Sequence, residues 1–172
     1  HGKLRLVGGT YTAGDESGDA CKFTQALAAL GARRGVSFRY DQAVEGLQQQ
    51  GGRIAGVCLQ GGEILSADSY VIALGSYTPM LVRPLGIHLP IYPAKGYSVT
   101  MPVKDASMAH EVSLTDDEYK LVFSRLGDRL RIAGTAELNG YSRDLNRVRC
   151  EAIVRRTEQL FPGAGDTSQA QF

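Results

Sequence analysis

Apolar residues in the first part of the chain recur at the spacing of a helix. Four residues at positions i, i+3, i+4 and i+7 set this period: Phe23, Ala26, Leu27 and Leu30. Because such positions share one helical face, the pattern predicts an amphipathic helix over residues 20–34. Asp19 stands directly before this helix, where an N-cap carboxylate accepts backbone N–H groups, and Gly35 follows its basic last turn.

Short strands are predicted on both sides of this helix. Residues 3–12 contain an apolar run with a glycine pair, and residues 36–40 alternate apolar and polar side chains directly after the helix. Residues 53–66 are typical of a hairpin around the turn at Gly61 and Gly62. Because a strand that directly follows a helix is typical of parallel sheets, this region is predicted to be α/β.

One segment combines a strand, a glycine and a helix start. The continuous apolar run over residues 70–74 predicts a strand buried on both faces. Gly75 allows the backbone to turn out of that strand, Ser76 is placed to cap a following helix, and Pro79 suits a first helical turn. Nucleotides bind outside the carboxyl ends of strands in open α/β sheets, so this segment is predicted to edge a pocket. An ordinary strand-to-helix corner is the alternative.

The pattern changes where three prolines interrupt the chain: Pro84, Pro90 and Pro93. Prolines at this density exclude a continuous helix, so we place a domain boundary near residue 84. Beyond the boundary, strands are predicted over residues 97–101, 119–124 and 129–133, with a hairpin turn at residues 126–128. The second region is therefore predicted to be mostly antiparallel sheet.

A second amphipathic helix is predicted over residues 146–161, before Pro162 and Gly163. Its apolar face is predicted to consist of Val148, Ala152, Ile153, Leu160 and Phe161. A helix with one apolar face needs a surface to cover, so we expect it to pack on one face of the antiparallel sheet. Together the two regions predict an α/β plus α+β architecture.

Composition and charge disfavour several classes of partner and site. The 172 residues have a formal net charge of +1 and no basic stripe, which argues against nucleic-acid binding. No apolar run approaches the ~20 residues of a membrane span. The cysteines and histidines lie far apart in the sequence: Cys21, Cys58, Cys150, His1, His88 and His110. We therefore expect reduced thiols, histidines at the surface or in loops, and no metal site.

Five blocks along the chain carry a family resemblance. They are Asp15-Glu16-Ser17-Gly18-Asp19, Ala73-Leu74-Gly75-Ser76-Tyr77, Tyr92-Pro93-Ala94-Lys95-Gly96-Tyr97-Ser98, Tyr119-Lys120 and Gly134-Thr135-Ala136-Glu137. In this order, and over essentially the whole chain, they resemble the FAD-dependent amino acid oxidase superfamily, which includes glycine oxidase and sarcosine oxidase. Within it, they are most similar to the branch of bacterial D-amino acid dehydrogenases.

Members of this superfamily begin with a glycine-rich dinucleotide fingerprint and end with an arginine-containing segment. Residues 1–172 show neither feature, and the sequence starts at His1 without a methionine. We therefore expect the chain to be an internal fragment, the middle of a longer enzyme.

The resemblance implies part of an interrupted Rossmann-like FAD-binding domain, followed by an antiparallel-sheet substrate domain with a covering helix. Residues 1–12 are then expected to form a strand of the substrate domain, residues 13–83 part of the FAD-binding domain and residues 84–172 part of the substrate-binding domain. The expected reaction oxidises D-amino acids to 2-oxo acids and ammonia by hydride transfer to the flavin. The expected partners are a D-amino acid and a quinone or other electron acceptor, and the expected location is the cytoplasm or the periphery of the inner face of the membrane.

The resemblance also implies roles for individual residues. Those expected to contact FAD are Val44, Ala73, Gly75, Ser76, Lys95 and Gly96. Those expected to bind the substrate are Tyr97, Tyr119 and Glu137, with Tyr119 on the carboxylate and Glu137 facing either the amine or solvent. No catalytic side chain is expected, since amine oxidation by a flavin needs orientation and a neutral amine more than a strong protein base.

Two alternatives to the dehydrogenase remain open. In the first alternative, the chain is a non-catalytic fragment or a binding module without flavin. In the second, it is part of an amino acid oxidase of the glycine or sarcosine oxidase type, which forms hydrogen peroxide with oxygen. The isolated chain is expected to be colourless and inactive. It is also expected to self-associate through an unpaired sheet edge and apolar surface.

Overall fold

A computed structural model of the protein describes residues 6–172. Within that range the helices are α1 Ala20–Arg33, α2 Thr78–Val82 and α3 Arg147–Leu160. The strands are β1 Val44–Gln50, β2 Arg53–Leu59, β3 Ile64–Leu65, β4 Lys95–Pro102, β5 Leu114–Asp116, β6 Leu121–Leu126 and β7 Arg129–Glu137. Short 3-10 turns lie at Gly75–Tyr77, Arg83–Leu85 and Thr167–Gln169.

The chain divides into two compact units. One is Leu27–Pro93, and the other combines the residues up to Ala26 with Ala94–Phe172. The sequence places a domain boundary near residue 84, and the units change between Pro93 and Ala94. The assignment of a flavin role to one domain and a substrate role to the other stays a prediction.

An antiparallel sheet with the strand order β4-β7-β6-β5 forms the centre of the unit that contains Ala94–Phe172. The predicted antiparallel sheet is confirmed, and so is the hairpin turn between β6 and β7. Strand β6 begins at Leu121, two residues after the start of the strand predicted over residues 119–124. Tyr119 and Lys120 lie in the turn before β6, and Lys120 has a φ of 56°, which strand geometry excludes.

Helix α3 covers one face of this sheet. Alternate residues of β4 point toward it, so that Tyr97, Val99 and Met101 are buried while their neighbours are not. The same core includes Phe123, Leu130, Ile132 and Ile153. Each large apolar side chain buried in this way contributes about 1.5–3 kcal/mol, so this layer is the main source of stability in the unit.

The predicted second helix is confirmed, and one member of its predicted apolar face is wrong. Asn146 caps α3, because its Oδ1 accepts the backbone N–H groups of Val148 and Arg149 at 3.1 and 3.4 Å. Ile153 is fully buried, whereas Val148 is 72% exposed. Val148 lies five positions before Ile153, and five positions turn a side chain by roughly 140° around the helix axis. Val148 therefore cannot share the face of Ile153.

The unit Leu27–Pro93 also contains an antiparallel sheet, with the order β1-β2-β3. The predicted hairpin is present as β2 and β3, but the expected parallel arrangement is not found in the described residues. The strand predicted over residues 36–40 is wrong. Phe38 and Tyr40 stack on each other instead, with ring centroids 5.7 Å apart.

Helix α1 is confirmed together with its cap. The Asp19 Oδ1 accepts the backbone N–H groups of Cys21 and Lys22, each at 3.1 Å. On the apolar face of α1, the side chains of Phe23, Leu27 and Leu30 are exposed. The spacing of apolar residues therefore predicts which face is apolar but not what covers it.

The buried strand predicted over residues 70–74 is wrong. This segment forms no strand, and Val71 is 91% exposed. No strand of residues 6–172 pairs with it, and an apolar run without a backbone partner has no ladder to join. The turn that follows agrees better with prediction, because Gly75 has a φ of 53° and Pro79 lies in the first turn of α2. Ser76 does not cap a helix: Leu74 and Tyr77 hold the N-cap positions.

Three further expectations concern the first strand, the histidines and membrane-spanning segments. The strand predicted over residues 3–12 is absent from residues 6–12, and residues 1–5, including His1, lie outside the described residues. His110 lies in the loop between β4 and β5, as expected, but it is buried, with its ring 5.1 Å from that of Phe161. No helix within residues 6–172 combines the length and apolarity needed to cross a bilayer.

Two substitutions in α3 test the corrected face of this helix. Ile153→Ala is expected to lower the free energy of unfolding by about 2–5 kcal/mol, since it empties a fully enclosed site. Val148→Ala, at an exposed site on the same helix, is expected to change it by less than about 0.5 kcal/mol. Urea denaturation followed by circular dichroism measures both values. Equal losses would contradict the orientation of α3.

Candidate functional site

A β-bulge at the end of β7 decides which side chains meet beside β4. Tyr97 pairs with Gly134 and Gly96 with Ala136, so that Thr135 is an extra residue on β7. Thr135 has a φ of 36°, in the left-handed region that a bulge residue often occupies. Because one inserted residue reverses the alternation of side chains, Glu137 rather than Ala136 reaches the face that holds Lys95 and Tyr97.

The three side chains form one linked cluster. The Tyr97 hydroxyl donates to Glu137 Oε2 at 2.5 Å, and the Lys95 Nζ lies 3.0 Å from the same oxygen. Lys95 also donates to the carbonyl oxygen of Asp144 at 2.7 Å, and the backbone N–H of Asn146 donates to the Tyr97 hydroxyl at 3.3 Å. The cluster therefore joins β4, β7 and the segment that leads into α3.

The contacts within this cluster keep Glu137 and Lys95 ionised. The hydrogen bond from Tyr97, and after it the one from Lys95, lowers the pKa of Glu137. The hydrogen bond to Glu137 raises the pKa of Lys95. Arg149 adds positive charge, with its guanidinium 5.8 Å from the centre of the Tyr97 ring. Near neutral pH the cluster is thus a carboxylate held between a phenol and an ammonium group.

Tyr119 occupies a second position, in the turn between β5 and β6. Its ring packs on the guanidinium of Arg156 from α3, with 4.0 Å between the guanidinium carbon and the ring centre. Arg156 is buried and donates from Nε to Asp116 Oδ2 at 2.6 Å. Burial alone would raise the pKa of Asp116, but the hydrogen bond and the charge of Arg156, together with the backbone hydrogen bonds from Tyr119 and Glu118, outweigh burial and lower that pKa. Tyr119 itself is 49% exposed and remains accessible.

The predicted cofactor residues fall into both units. Val44, Ala73, Gly75 and Ser76 belong to Leu27–Pro93, where α2 lies against β1. Gly75 is exposed, with open space on the side where a Cβ would stand. Val44, at the start of β1, is exposed as well.

The predicted site residues of the other unit are only partly brought together. Lys95, Tyr97 and Glu137 meet directly, and Gly96 is exposed beside them. Tyr119 belongs to the separate contact with Arg156. Sequence patterns did not indicate a site role for Asp116, Thr135 or Arg156. A glycine inside a strand, here Gly134, is the one signal that could have indicated the bulge.

Comparison with known proteins identifies the family. The family model described as "DAO: FAD dependent oxidoreductase" matches residues 1–171. The chain belongs to the FAD-dependent oxidoreductase family. The resemblance recognised in the sequence is thereby confirmed, together with FAD as the cofactor on which the family depends.

Several relatives of this FAD-dependent oxidoreductase are named D-amino acid dehydrogenase. One from Dechloromonas aromatica is 62% identical over 161 residues, which cover 91% of this chain and 38% of that protein. One from Methylobacterium nodulans is 54% identical over 167 residues, covering 97% of this chain and 40% of that protein. The chain thus spans about two fifths of the length of these relatives.

Solved structures support the fold of this family member. A glycine oxidase from Bacillus cereus matches with a TM-score of 0.68 at 20% identity, over 83% of this chain and 39% of that one. An L-proline dehydrogenase from P. horikoshii matches with a TM-score of 0.70 at 18% identity, over 83% and 39%. At this identity the likeness concerns the fold alone. It confirms a mixed α/β fold with antiparallel sheets.

Two of the predicted cofactor residues, Gly75 and Gly96, have open space beside their backbone. A Cβ at Gly75 or at Gly96 would meet no atom within 4 Å, so packing within the described residues does not require glycine at either position. Open space beside the backbone is what close approach of a phosphate or a flat ring needs. The positive φ of Gly75 gives that position a second, conformational reason to be glycine.

Acid titration tests the charge on Glu137. Because its pKa is lowered in the folded protein, its ionised form stabilises the fold above the ordinary glutamate pKa of 4.5, and this stabilisation is lost as the pH falls through the lowered value. We expect Glu137→Gln to lower the free energy of unfolding at pH 7 and to approach the wild-type value at an acidic pH below the lowered pKa of Glu137. Urea denaturation at both pH values measures this gap, with Glu151→Gln, on an exposed side of α3, as the control. A gap of the same size at both pH values would contradict the assignment.

A substitution at the bulge tests the backbone conformation of Thr135. A β-branched residue with positive φ costs about 1–2 kcal/mol, so Thr135→Gly is expected to raise the free energy of unfolding by about 1 kcal/mol. Thr115→Gly, in the regular strand β5, is expected to lower it by roughly 0.5–1 kcal/mol. Thermal denaturation of the two variants compares these effects. A loss of stability in both would show that β7 carries no such bulge.

Proposed function

We propose that this chain is part of an FAD-dependent D-amino acid dehydrogenase. The enzyme would oxidise D-amino acids to 2-oxo acids and ammonia and pass the electrons to a quinone or another acceptor. The observation that carries the proposal is 62% identity, over 91% of the chain, to a protein named D-amino acid dehydrogenase. The cytoplasm or the periphery of the inner membrane face is proposed as the location.

The proposed flavin contacts include two glycines with open space beside the backbone, Gly75 and Gly96. Gly75 and Ser76 would face the ribose and diphosphate of FAD, with Ala73 beside them and Val44 offering its backbone to the adenine. Gly96 would face the flavin ring, since its exposed backbone has no Cβ. When bound, FAD supplies the acceptor for the hydride that leaves the substrate Cα.

Lys95 is proposed to place a fixed positive charge beside the flavin. Its ammonium group is held on two sides, by Glu137 Oε2 at 3.0 Å and by the carbonyl oxygen of Asp144 at 2.7 Å. A charge that is already oriented stabilises developing negative charge without reorganisation. These two contacts restrict the ammonium group, which supports this role over that of a mobile surface lysine.

Glu137 is proposed to orient its neighbours in the substrate region. One of its oxygens already accepts the Tyr97 hydroxyl and pairs with Lys95, so much of its capacity as an acceptor is used within the protein. Its role would then be to fix Tyr97 and Lys95, whichever way the substrate amine lies. Tyr119, half-exposed in its turn, would donate its hydroxyl to the substrate carboxylate.

The exposed apolar side chains of the unit Leu27–Pro93 support the proposal that the isolated chain self-associates. They include Phe38, Tyr40, Val71 and Leu74. Contiguous exposed apolar surface favours association.

Turnover assays on the protein that carries this chain test the proposal. The wild-type enzyme is expected to reduce a dye acceptor with D-alanine, to form no hydrogen peroxide with oxygen, and to be yellow. Lys95→Met is expected to lower kcat at least about tenfold, because a pre-oriented charge beside the flavin is lost. The exposed Lys104→Met is the matched control and should keep wild-type kcat.

The same assays separate the alternatives. Hydrogen peroxide formed in step with substrate oxidation would assign an oxidase instead of a dehydrogenase. A colourless protein that does not take up added FAD would assign a non-catalytic module. Wild-type kcat in Lys95→Met would leave the enzyme class standing and overturn the role of Lys95.

A further inference from the structure

The buried ion pair between Asp116 and Arg156 lies outside every residue so far given a functional role. Arg156 has a side chain only 5% exposed, and Asp116 one that is 11% exposed. Removing two charges from water is costly unless geometry and hydrogen bonds compensate. The contacts made by this charged pair therefore indicate which part of the protein it holds in place.

Arg156 uses its guanidinium in three directions. Its Nε donates to Asp116 Oδ2, one terminal nitrogen lies 3.5 Å from Glu118 Oε2, and the other donates to Gln159 Oε1 at 3.5 Å. These contacts fix the plane of the guanidinium. The Tyr119 ring packs on it, 4.0 Å from the guanidinium carbon, which is a stacking contact that a lysine could not reproduce.

Asp116 holds the same turn through its backbone. Its Oδ1 accepts the N–H groups of Glu118 and Tyr119 at 3.1 and 3.3 Å, while its other oxygen accepts from Arg156. The carboxylate thus ties the backbone of Tyr119 to α3, and the guanidinium supports its ring. Tyr119 is therefore held both at its backbone and at its ring, and the residue stays half-exposed.

We infer that Arg156 and Asp116 are positioning residues for Tyr119. They hold its phenol in one orientation so that it can bind the carboxylate of an amino acid substrate. This inference rests on the proposed function, in which Tyr119 touches the substrate. It adds that α3, which packs on the sheet through contacts with β4 and β7, also sets substrate affinity.

The contribution of a positioning residue appears in substrate binding and vanishes when the positioned group is removed. Tyr119→Phe in the protein that carries this chain is expected to raise KM for D-alanine about tenfold, with kcat within about twofold, because a hydrogen bond to a charged carboxylate is lost. Arg156→Met keeps side-chain bulk without the guanidinium and is expected to raise KM similarly. In the Tyr119→Phe background, Arg156→Met should add less than about twofold.

Two further variants control for loss of folding and for charge. Arg156→Lys keeps the charge without the planar fork, and it is expected to raise KM as well; it replaces Arg156→Met if that variant does not fold. Arg155→Met, at the exposed neighbouring position on α3, is expected to leave KM and kcat unchanged. Hydrogen exchange of the Tyr119 amide gives a readout independent of turnover, with faster exchange expected in both Arg156 variants.

The outcomes distinguish this inference from the proposed function. A wild-type enzyme that oxidises no D-amino acid overturns the proposed function, and this inference with it. An active wild type overturns only the inference in two cases: if both Arg156 variants keep wild-type KM, or if the effects of Arg156→Met and Tyr119→Phe multiply. A purely structural role for the pair would lower stability in Arg156→Met with no such coupling in KM.

Discussion

The arrangement of the candidate site depends on one extra residue in β7. A regular strand would place Ala136 on the face shared by Lys95 and Tyr97, and Glu137 on the opposite face. The bulge at Thr135 reverses these two orientations at the end of the β4–β7 pairing. Up to Gly134, the alternation of β7 serves the core under α3. Beyond it, the alternation serves a charged cluster at the sheet end. A packed core and a polar site can therefore share one strand.

The cluster shows how a sheet end can hold charge with little freedom. Lys95 and Glu137 face each other across β4 and β7, and Tyr97 joins them from the same face. Below them the sheet is apolar and closed by α3. The side chains are thus anchored on a rigid layer, which in the proposed function would supply the orientation that flavin chemistry requires. The exposed Gly96 in the same strand provides the complementary property, an unobstructed backbone.

The sequence predicted elements whose signals are local. Helix α1 follows from the spacing of Phe23, Leu27 and Leu30 and from the cap at Asp19, and both are found. The hairpins follow from glycine turns. The strand over residues 70–74 failed because strand formation needs a partner that a single segment cannot reveal. Arg156 was missed for a related reason. In a helical pattern an arginine is counted as surface, and only the position of Asp116 in three dimensions shows that it is buried.

The bulge brings Lys95 and Glu137 into one interaction, and a double-mutant cycle measures the coupling between the two side chains. The free energies of unfolding of Lys95→Met, Glu137→Gln and the double variant are measured in urea at pH 7. Each single change already breaks the pair, so the double variant is expected to lose less stability than the sum of the two single losses. Losses that add without coupling would contradict it.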